Sequence, residues 1–207
     1  MTPYTTLKGE GTSRYEEKKS VFFGFARPLS NEKAALDFIA EIKTAYPDAR
    51  HHVYAYLLRE NNLTRYSDDR EPQGTAGMPT LDLLKKSGCT DAGIVVVRYF
   101  GGTLLGTGGL VRAYTAAAKA SLESAGIVTY RPFTECRVSV NYADYQKILP
   151  FFEKFGVLVD STDFGTEVTL CAAVESDALA RFERDLSNLT GGRAALTVTG
   201  ERFDGAK

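Results

Sequence analysis

The sequence predicts an α+β protein in two domains, residues 1–132 and 133–207. Three observations carry that prediction. Short runs rich in Val, Phe and Tyr alternate with segments whose apolar residues recur at helical spacing. The chain changes character at Tyr130-Arg131-Pro132. Beyond Glu135 the elements fall in the order β-α-β-β-α-β, the split βαβ arrangement of ferredoxin-like domains.

Strand material opens the first domain at SVFFGFARPL, rich in aromatics and closed by Pro28. Ser30 or Asn31 then caps a helix whose apolar residues Ala35, Leu36, Phe38, Ile39 and Ile42 fall at helical spacing. Pro47 stops it. HHVYAYLL is a second strand, with Val53, Ala55 and Leu57 on one face and His52, Tyr54 and Tyr56 on the other. A polar loop follows from Glu60 to Gly77. Pro79 suits the first position of a short helix that continues to Lys86 and stops at Gly88. A buried-type strand, Ile94 to Val97, leads into a loop holding Gly101, Gly102, Gly106, Gly108 and Gly109. An Ala-rich helix begins near Leu110 and closes at Gly126. In the second domain the order is strand (136–142), helix (144–155), strand (157–162), strand (167–175), helix (178–189) and strand (194–201). Gly156, Gly165 and Gly191-Gly192 stand where turns are needed.

At 207 residues the chain can bury one large core or two small ones. Its 43% hydrophobic and 25% charged residues fit an ordinary soluble globular protein. The formal net charge of -1 alone signals no nucleic-acid partner. The distribution is less even. Through Phe133, 17 Lys+Arg face 14 Asp+Glu, a balance of +3, whereas the remainder has 8 against 12, or -4. The mildly basic front half is the part suited to phosphates. Cys89, Cys136 and Cys171 are far apart and form no CxxC pair, as expected of packing residues in a reducing cytoplasm. MTPYTTLKGEGTSRYEEKKS has no apolar core of signal-peptide type, and no run approaches the roughly 20 apolar residues of a membrane span. A cytoplasmic protein with no membrane partner is expected.

Two loops concentrate candidate chemistry. In RYSDDREPQGTAG, Asp68, Asp69 and Glu71 stand beside Arg65 and Arg70. Three close carboxylates suit a hard cation such as Mg²⁺, which takes oxygen ligands. No spacing here is specific to a metal, so no metal site is assigned. Asp side chains also bond nearby N–H groups and shape turns, and that structural role is the expected one. Asp68, Asp69 and Glu71 remain acid/base candidates, with His52 as proton carrier because imidazole titrates near neutrality. His51 and His52 are adjacent, so a strand sends them to opposite faces and the pair alone does not share a metal. A packed or hydrogen-bonded histidine is the structural alternative.

The glycine loop is the second. Glycine lets the backbone turn sharply and approach another molecule. The first N–H groups of the following helix lack intrahelical partners and carry partial positive charge. Gly101 to Gly106 has P-loop glycine spacing, but Thr107-Gly108 replaces the Lys-Ser/Thr pair. Gly106-Thr107-Gly108 begins a dinucleotide fingerprint, but Val111 stands at the third glycine and no second parallel βαβ half follows. A lone phosphate is what the loop can still hold. Thr103, Thr107 and the amides of Gly101, Gly102, Gly106, Gly108 and Gly109 supply donors, with Arg98 or Arg112 nearby in sequence. Tyr99 and Phe100 can stack on a base or fill the core. A tight crossover that merely needs room would use the same glycines.

Taken together, RYSDDREPQGTAGMP at 65–79, VVVRYFGGTLLGTGGLVRAY at 95–114, HHVYAY at 51–56 and the opening KKSVFFGFA resemble the YigZ/IMPACT family, in its bacterial two-domain branch. One departure is visible: the family pattern is Asp-Asp-Gly-Glu-Pro, and this chain has Arg70 at the glycine. If that position needs φ > 0, arginine costs about 1 kcal/mol or changes the turn. The resemblance implies a front domain like the second domain of a small-subunit ribosomal protein, a fold shared with a domain of elongation factor G and with the GHMP kinases. It implies a rear domain resembling the last domain of elongation factor G. It also implies a link to translation, because eukaryotic relatives act in translational control by competing for the ribosome-associated activator of a starvation-sensing kinase. Those relatives carry an additional N-terminal interaction domain that this chain is expected to lack, so regulation of the kinase is not carried over.

Fold does not decide function. The expected function is a non-enzymatic, translation-associated binding module that touches RNA or the ribosome. Arg65, Arg70, Arg98 and Arg112 would contact phosphates, and a protein of the translation machinery is a further expected partner. The alternative is an enzyme on a phosphate ester, nucleotide or peptide, with the acidic and glycine loops as its site.

Overall fold

The computed structural model describes residues 2–205 and divides them into Tyr4–Thr129 and a unit made chiefly of the residues from Tyr130 onward. The first contains strands β1 (Tyr4–Leu7), β2 (Gly11–Glu17) and β3 (Ser20–Pro28), helix α1 (Glu32–Ala45), strands β4 (His51–Leu58) and β5 (Leu63–Ser67), helix α2 (Gly77–Ser87), strand β6 (Ala92–Tyr99) and helix α3 (Gly106–Ala125). Strand β7 (Ile127–Val140) leads into the second unit. That unit adds α4 (Tyr142–Phe155), β8 (Leu158–Phe164), β9 (Val168–Glu175), α5 (Leu179–Thr190) and β10 (Ala195–Gly205). Both units combine a sheet with helices, the α+β class expected.

The front sheet runs β2-β3-β6-β4-β5 and is antiparallel throughout. β6 is its middle strand, and Ala92 to Arg98 are all buried because helices cover both faces, which accounts for the unbroken Ile/Val run. Alternation sorts the side chains. Phe22, Val53, Ala55, Ile94 and Val96 pack with α2 and α3, while Tyr56, Leu58, Val95 and Val97 pack with α1. Asn31 caps α1, its Oδ1 accepting from the Ala34 N–H at 2.9 Å. Ala35, Phe38, Ile39 and Ile42 form the buried stripe of α1, and Leu36 lies outside it, exposed.

Two helices begin earlier than the sequence suggests. α2 starts at Gly77 because the Asp68 carboxylate accepts from the Ala76 and Gly77 amides at 3.1 and 2.8 Å. α3 starts at Gly106, so Gly108 and Gly109 belong to its first turn and not to the preceding loop. Glycine in a helix interior costs up to about 1 kcal/mol relative to alanine. The buried face of Leu110, Ala113, Tyr114, Ala117, Ala118 and Leu122 offsets this, at roughly 1.5–3 kcal/mol per large apolar side chain.

Three strands lie outside the sequence expectation. β2, GTSRYEE, is polar because it is an edge strand that alternates between cover and solvent. β5 is the opposite edge, inside the segment expected to be loop, with Arg65 and Tyr66 exposed. β1 runs beside the first residues of β7, with Thr5 Oγ1 3.0 Å from Thr129 Oγ1 and the Lys8 N–H donating to the Gly126 carbonyl at 2.9 Å.

In the second unit the antiparallel strand order β10-β7-β9-β8 accompanies the expected β-α-β-β-α-β succession. α4 and α5 bury Ile148, Phe152, Phe182 and Leu186 against Val138, Val140 and Leu170 of the sheet. The three thiols are free, and burial pushes that of Cys136 up to about 11, in keeping with a packing role. No helix of the described residues is long and apolar enough to cross a membrane.

Candidate functional site

A cleft of about 420 Å³ opens in the front unit where the start of β4, the 68–77 loop, the end of β6 and the start of α3 meet. Its basic side chains are Arg50, His51, Arg70 and Arg98, and Glu71 is the carboxylate among them. Strand alternation places two of these. Arg98 follows Ile94 and Val96 on the face of β6 that meets α3, and His51 lies directly across from Arg98 in the β4–β6 register. Phe100, Leu104, Leu105 and Leu110 form an apolar wall beside Gly106 and Thr107.

Glu71 is only 8% exposed, and its Oε1 accepts two bonds of 2.7 Å, from Arg98 Nη1 and from the Tyr114 hydroxyl. A buried carboxylate requires such compensation. Burial, and then the Glu71 charge, pushes the Tyr114 hydroxyl far above the ordinary phenol range, so it stays protonated and keeps donating. Arg98 is 6% exposed, with its guanidinium carbon 5.6 Å from both the Phe22 and the Phe100 ring centroids. Glu71 engages only Nη1. The buried Nε has no hydrogen-bond partner among the described residues. The Arg98 side chain thus keeps one unmet buried donor, and the residue lines the cleft.

The histidines separate as adjacent strand residues must. His51 Nδ1 lies 2.9 Å from the Asp69 carbonyl, which only accepts, so Nδ1 carries the proton. Nε2 is left 3.8 Å from Glu71 Oε1. His52, the proton carrier expected from sequence, is on the α1 face, across from Val97, with Nε2 3.0 Å from the Tyr46 carbonyl. It does not line the cleft.

The three loop carboxylates turn to three tasks. Asp68 accepts from the Gly74, Ala76 and Gly77 amides at 2.9, 3.1 and 2.8 Å. Asp69 Oδ2 accepts from the His52 N–H at 2.6 Å. Glu71 holds Arg98 and Tyr114. Loop shaping thus occupies Asp68 and Asp69, and among the described residues no group of three His, Cys, Asp or Glu could hold a metal ion. Asp69 and Arg70 have left-handed backbones, with φ of 41° and 71°. The condition that strains an arginine at the family's glycine position is therefore met, and the side chain that strain carries lines the cleft.

The glycines divide likewise. Gly101 lies so close to the Lys19–Ser20 backbone that a Cβ would collide with it, and its N–H donates to Ser20 Oγ at 3.1 Å. Here glycine serves packing. Gly106, with φ of 72°, opens α3 without any side-chain cap. Gly108 is exposed, and a Cβ there would meet only Arg112 Nη1 at 3.6 Å, so nothing inside the unit demands glycine. The start of α3 presents uncapped amides of partial positive charge beside Arg98. Gly106 and Thr107 line the cleft; Gly102, Thr103 and Gly108 are exposed outside its lining, and Gly109 packs near Leu105. Arg65, on edge strand β5, and Arg112, further along α3, are exposed and do not line it.

Sequence reasoning missed Arg50, His51 and Tyr114. His51 was legible in principle, since it shares strand parity with Val53 and Ala55, the face that meets α3. Tyr114 closes the glycine-rich motif but looks like any core aromatic. Arg50 gave no signal.

Fold and site together define a two-domain α+β protein whose N-terminal unit carries a basic cleft edged by an uncapped helix start. Residues 18–122 match the Impact N-terminal domain, and residues 138–193 match a domain of unknown function, DUF1949. The chain belongs to the IMPACT family, as its motifs led one to expect. It is 33% identical over 194 residues to the IMPACT family member YvyE of Bacillus subtilis (strain 168), covering 93% of this chain and 89% of that one. It is 33% identical over 189 residues to the IMPACT family member YigZ of Escherichia coli (strain K12), covering 90% and 93%. A crystal structure of a hypothetical protein, 31% identical, matches with a TM-score of 0.61 over 96% of this chain and 98% of that chain.

Proposed function

We propose that this chain is a translation-associated binding module of the cytoplasm whose N-terminal unit engages phosphate groups of RNA or the ribosome. The observation that carries this reading is the charge of the cleft: Arg50, Arg70 and Arg98 stand against one carboxylate, Glu71, already held by Arg98 and Tyr114. Guanidinium forks match phosphate oxygens, and the uncapped amides of Gly106 and Thr107 add donors of the right sign. Family membership supports the link to translation. So does the fold that the family motifs imply, a front domain like the second domain of a small-subunit ribosomal protein and a rear domain like the last domain of elongation factor G. Gly102, Thr103, Gly108 and Arg112, exposed on the same segment, extend the contact, and Arg65 adds a peripheral charge.

Phosphate-mediated binding weakens steeply with salt. A filter-binding titration of ribosomes and of a structured RNA across a salt series is the test. Saturable binding that falls with salt and is weakened by Arg70→Gly is expected; no complex even at low salt contradicts the proposal. The 3.8 Å approach of His51 Nε2 to the buried Glu71 favours a second reading, an enzyme on a phosphate ester, nucleotide or peptide. There His51 Nε2 would take a proton from the nucleophile while Arg98 holds the anion. A melting shift with such a ligand, plus turnover lost in His51→Ala, would support it. Binding without turnover leaves the binding module.

A further inference from the structure

We infer that the cleft is a pocket for a terminal phosphate monoester carried on a planar or apolar group, such as the phosphorylated end of an RNA strand or a free nucleotide. It is not a track for the internal phosphodiesters of a strand. This rests on the phosphate reading above and narrows it.

Size is the first reason. About 420 Å³ lies within the roughly 300–1,000 Å³ of small-ligand pockets, whereas proteins that follow a strand use an extended basic groove. Charge is the second. Three guanidiniums against one carboxylate leave an excess of two positive charges in the cleft. A phosphate monoester carries about -1.5 to -2 at pH 7 and so matches that excess; each internal phosphate of a strand brings a single charge. The third reason is Arg98. It is more than nine-tenths buried, lines the cleft, and is engaged by Glu71 through Nη1 only. The Glu71 bond commits Nη1 alone, and a guanidinium lining the cleft draws an anion with several oxygens. The wall supplies the fourth reason. Phe100 is 50% exposed and Leu104 83%, so apolar surface stands open beside the basic floor, where a base can stack or an apolar group can rest.

The test uses the full chain and four probes: a short oligoribonucleotide with a 5′-phosphate, the same strand with a 3′-phosphate, the strand with neither, and a nucleoside monophosphate. A phosphorylated end is expected to bind roughly tenfold or more tightly than the bare strand, the size of one or two charge-assisted bonds. Arg70→Gly and Arg50→Ala change exposed side chains and so spare the core. Both should remove most of that preference without lowering the melting temperature. Competition by the nucleoside monophosphate identifies a free nucleotide as sufficient; competition by phosphorylated strands alone identifies the RNA end. Saturable binding of the monophosphate with no binding of any strand supports this pocket and counts against RNA as partner. Equal affinity for phosphorylated and bare strands overturns the pocket while leaving RNA binding intact. Failure of every probe also overturns it, and the ribosome titration then decides the broader proposal on its own.

Discussion

Among the described residues each unit holds one nearly inaccessible carboxylate paired with arginine, and the two are built to opposite ends. In the rear unit, Asp144 accepts from Arg193 Nε at 2.8 Å and Nη2 at 3.0 Å, from Lys147 Nζ at 2.8 Å and from Asn141 Nδ2 at 3.1 Å. Both oxygens are engaged, and the hydrogen bonds of Arg193 and Lys147 hold the carboxyl well below the usual carboxylate range. The residue also sits in the first turn of α4, where negative charge is favoured. That network is closed. In the front unit Glu71 meets an arginine that is itself buried, engages it through Nη1 only, and shares with it the lining of a cleft. Arg27 and Arg202 also have a buried Nε without a hydrogen-bond partner among the described residues, but each faces more than one carboxylate. Open volume lined by charge of one sign in excess distinguishes a candidate site from a structural clasp.

Substitutions at the two carboxylates separate a site from a clasp. Glu71→Leu strands a buried guanidinium and should destabilise the front unit by about 3–5 kcal/mol in denaturant unfolding. Adding Arg98→Met to it should recover much of the loss, since an apolar replacement of a buried pair is often neutral or stabilising. A loss below about 1 kcal/mol for the single change would show that Glu71 is no buried anchor. Asp144→Ala should weaken the rear unit by less and leave anion binding untouched. Its pH dependence has a definite sign: the native pKa is depressed, so the contribution is complete above about pH 4 and lost as pH falls from there. An acid titration of rear-unit signals should therefore be flatter in the variant.

Smaller effects are expected at the exposed arginines. Arg70→Gly should raise stability by about 1 kcal/mol, because glycine tolerates φ of 71°, while weakening phosphate binding. Opposite signs for stability and binding are the mark of a side chain kept for its ligand. A variant less stable than the parent would contradict the strain argument. Arg65→Ala and Arg112→Ala should change stability by no more than about 0.5 kcal/mol and binding by less than Arg70→Gly does.

Much of this architecture could be read from the chain because periodicity is local. The stripe Ala35-Phe38-Ile39-Ile42 and the alternation of HHVYAYLL each specify an element and its inward face. Edge strands defeat that logic: β2 and β5 owe their state to pairing with β3 and β4, which no local pattern announces. The site was half legible. The acidic and glycine loops are both there, yet Asp68 is a capping group for α2, visible only once the Ala76 and Gly77 amides are seen beside it. Parity grouped His51 with Val53 and Ala55, but that this face of β4 meets α3, with His51 across from Arg98 and His52 across from Val97, emerged only in the folded sheet. Arg50 enters only because the chain entering β4 passes the cleft mouth.

Titration of inorganic phosphate into the full chain, followed by ¹H–¹⁵N NMR, reads out whether Arg98 and the α3 start form an anion site. Saturable shifts of the Arg98 Nε–H and of the Gly106 and Thr107 amides are predicted, with the Arg202 Nε–H and the Asp144 amide unmoved. Shifts that never saturate, or that are as large at Arg202 as at Arg98, would contradict it.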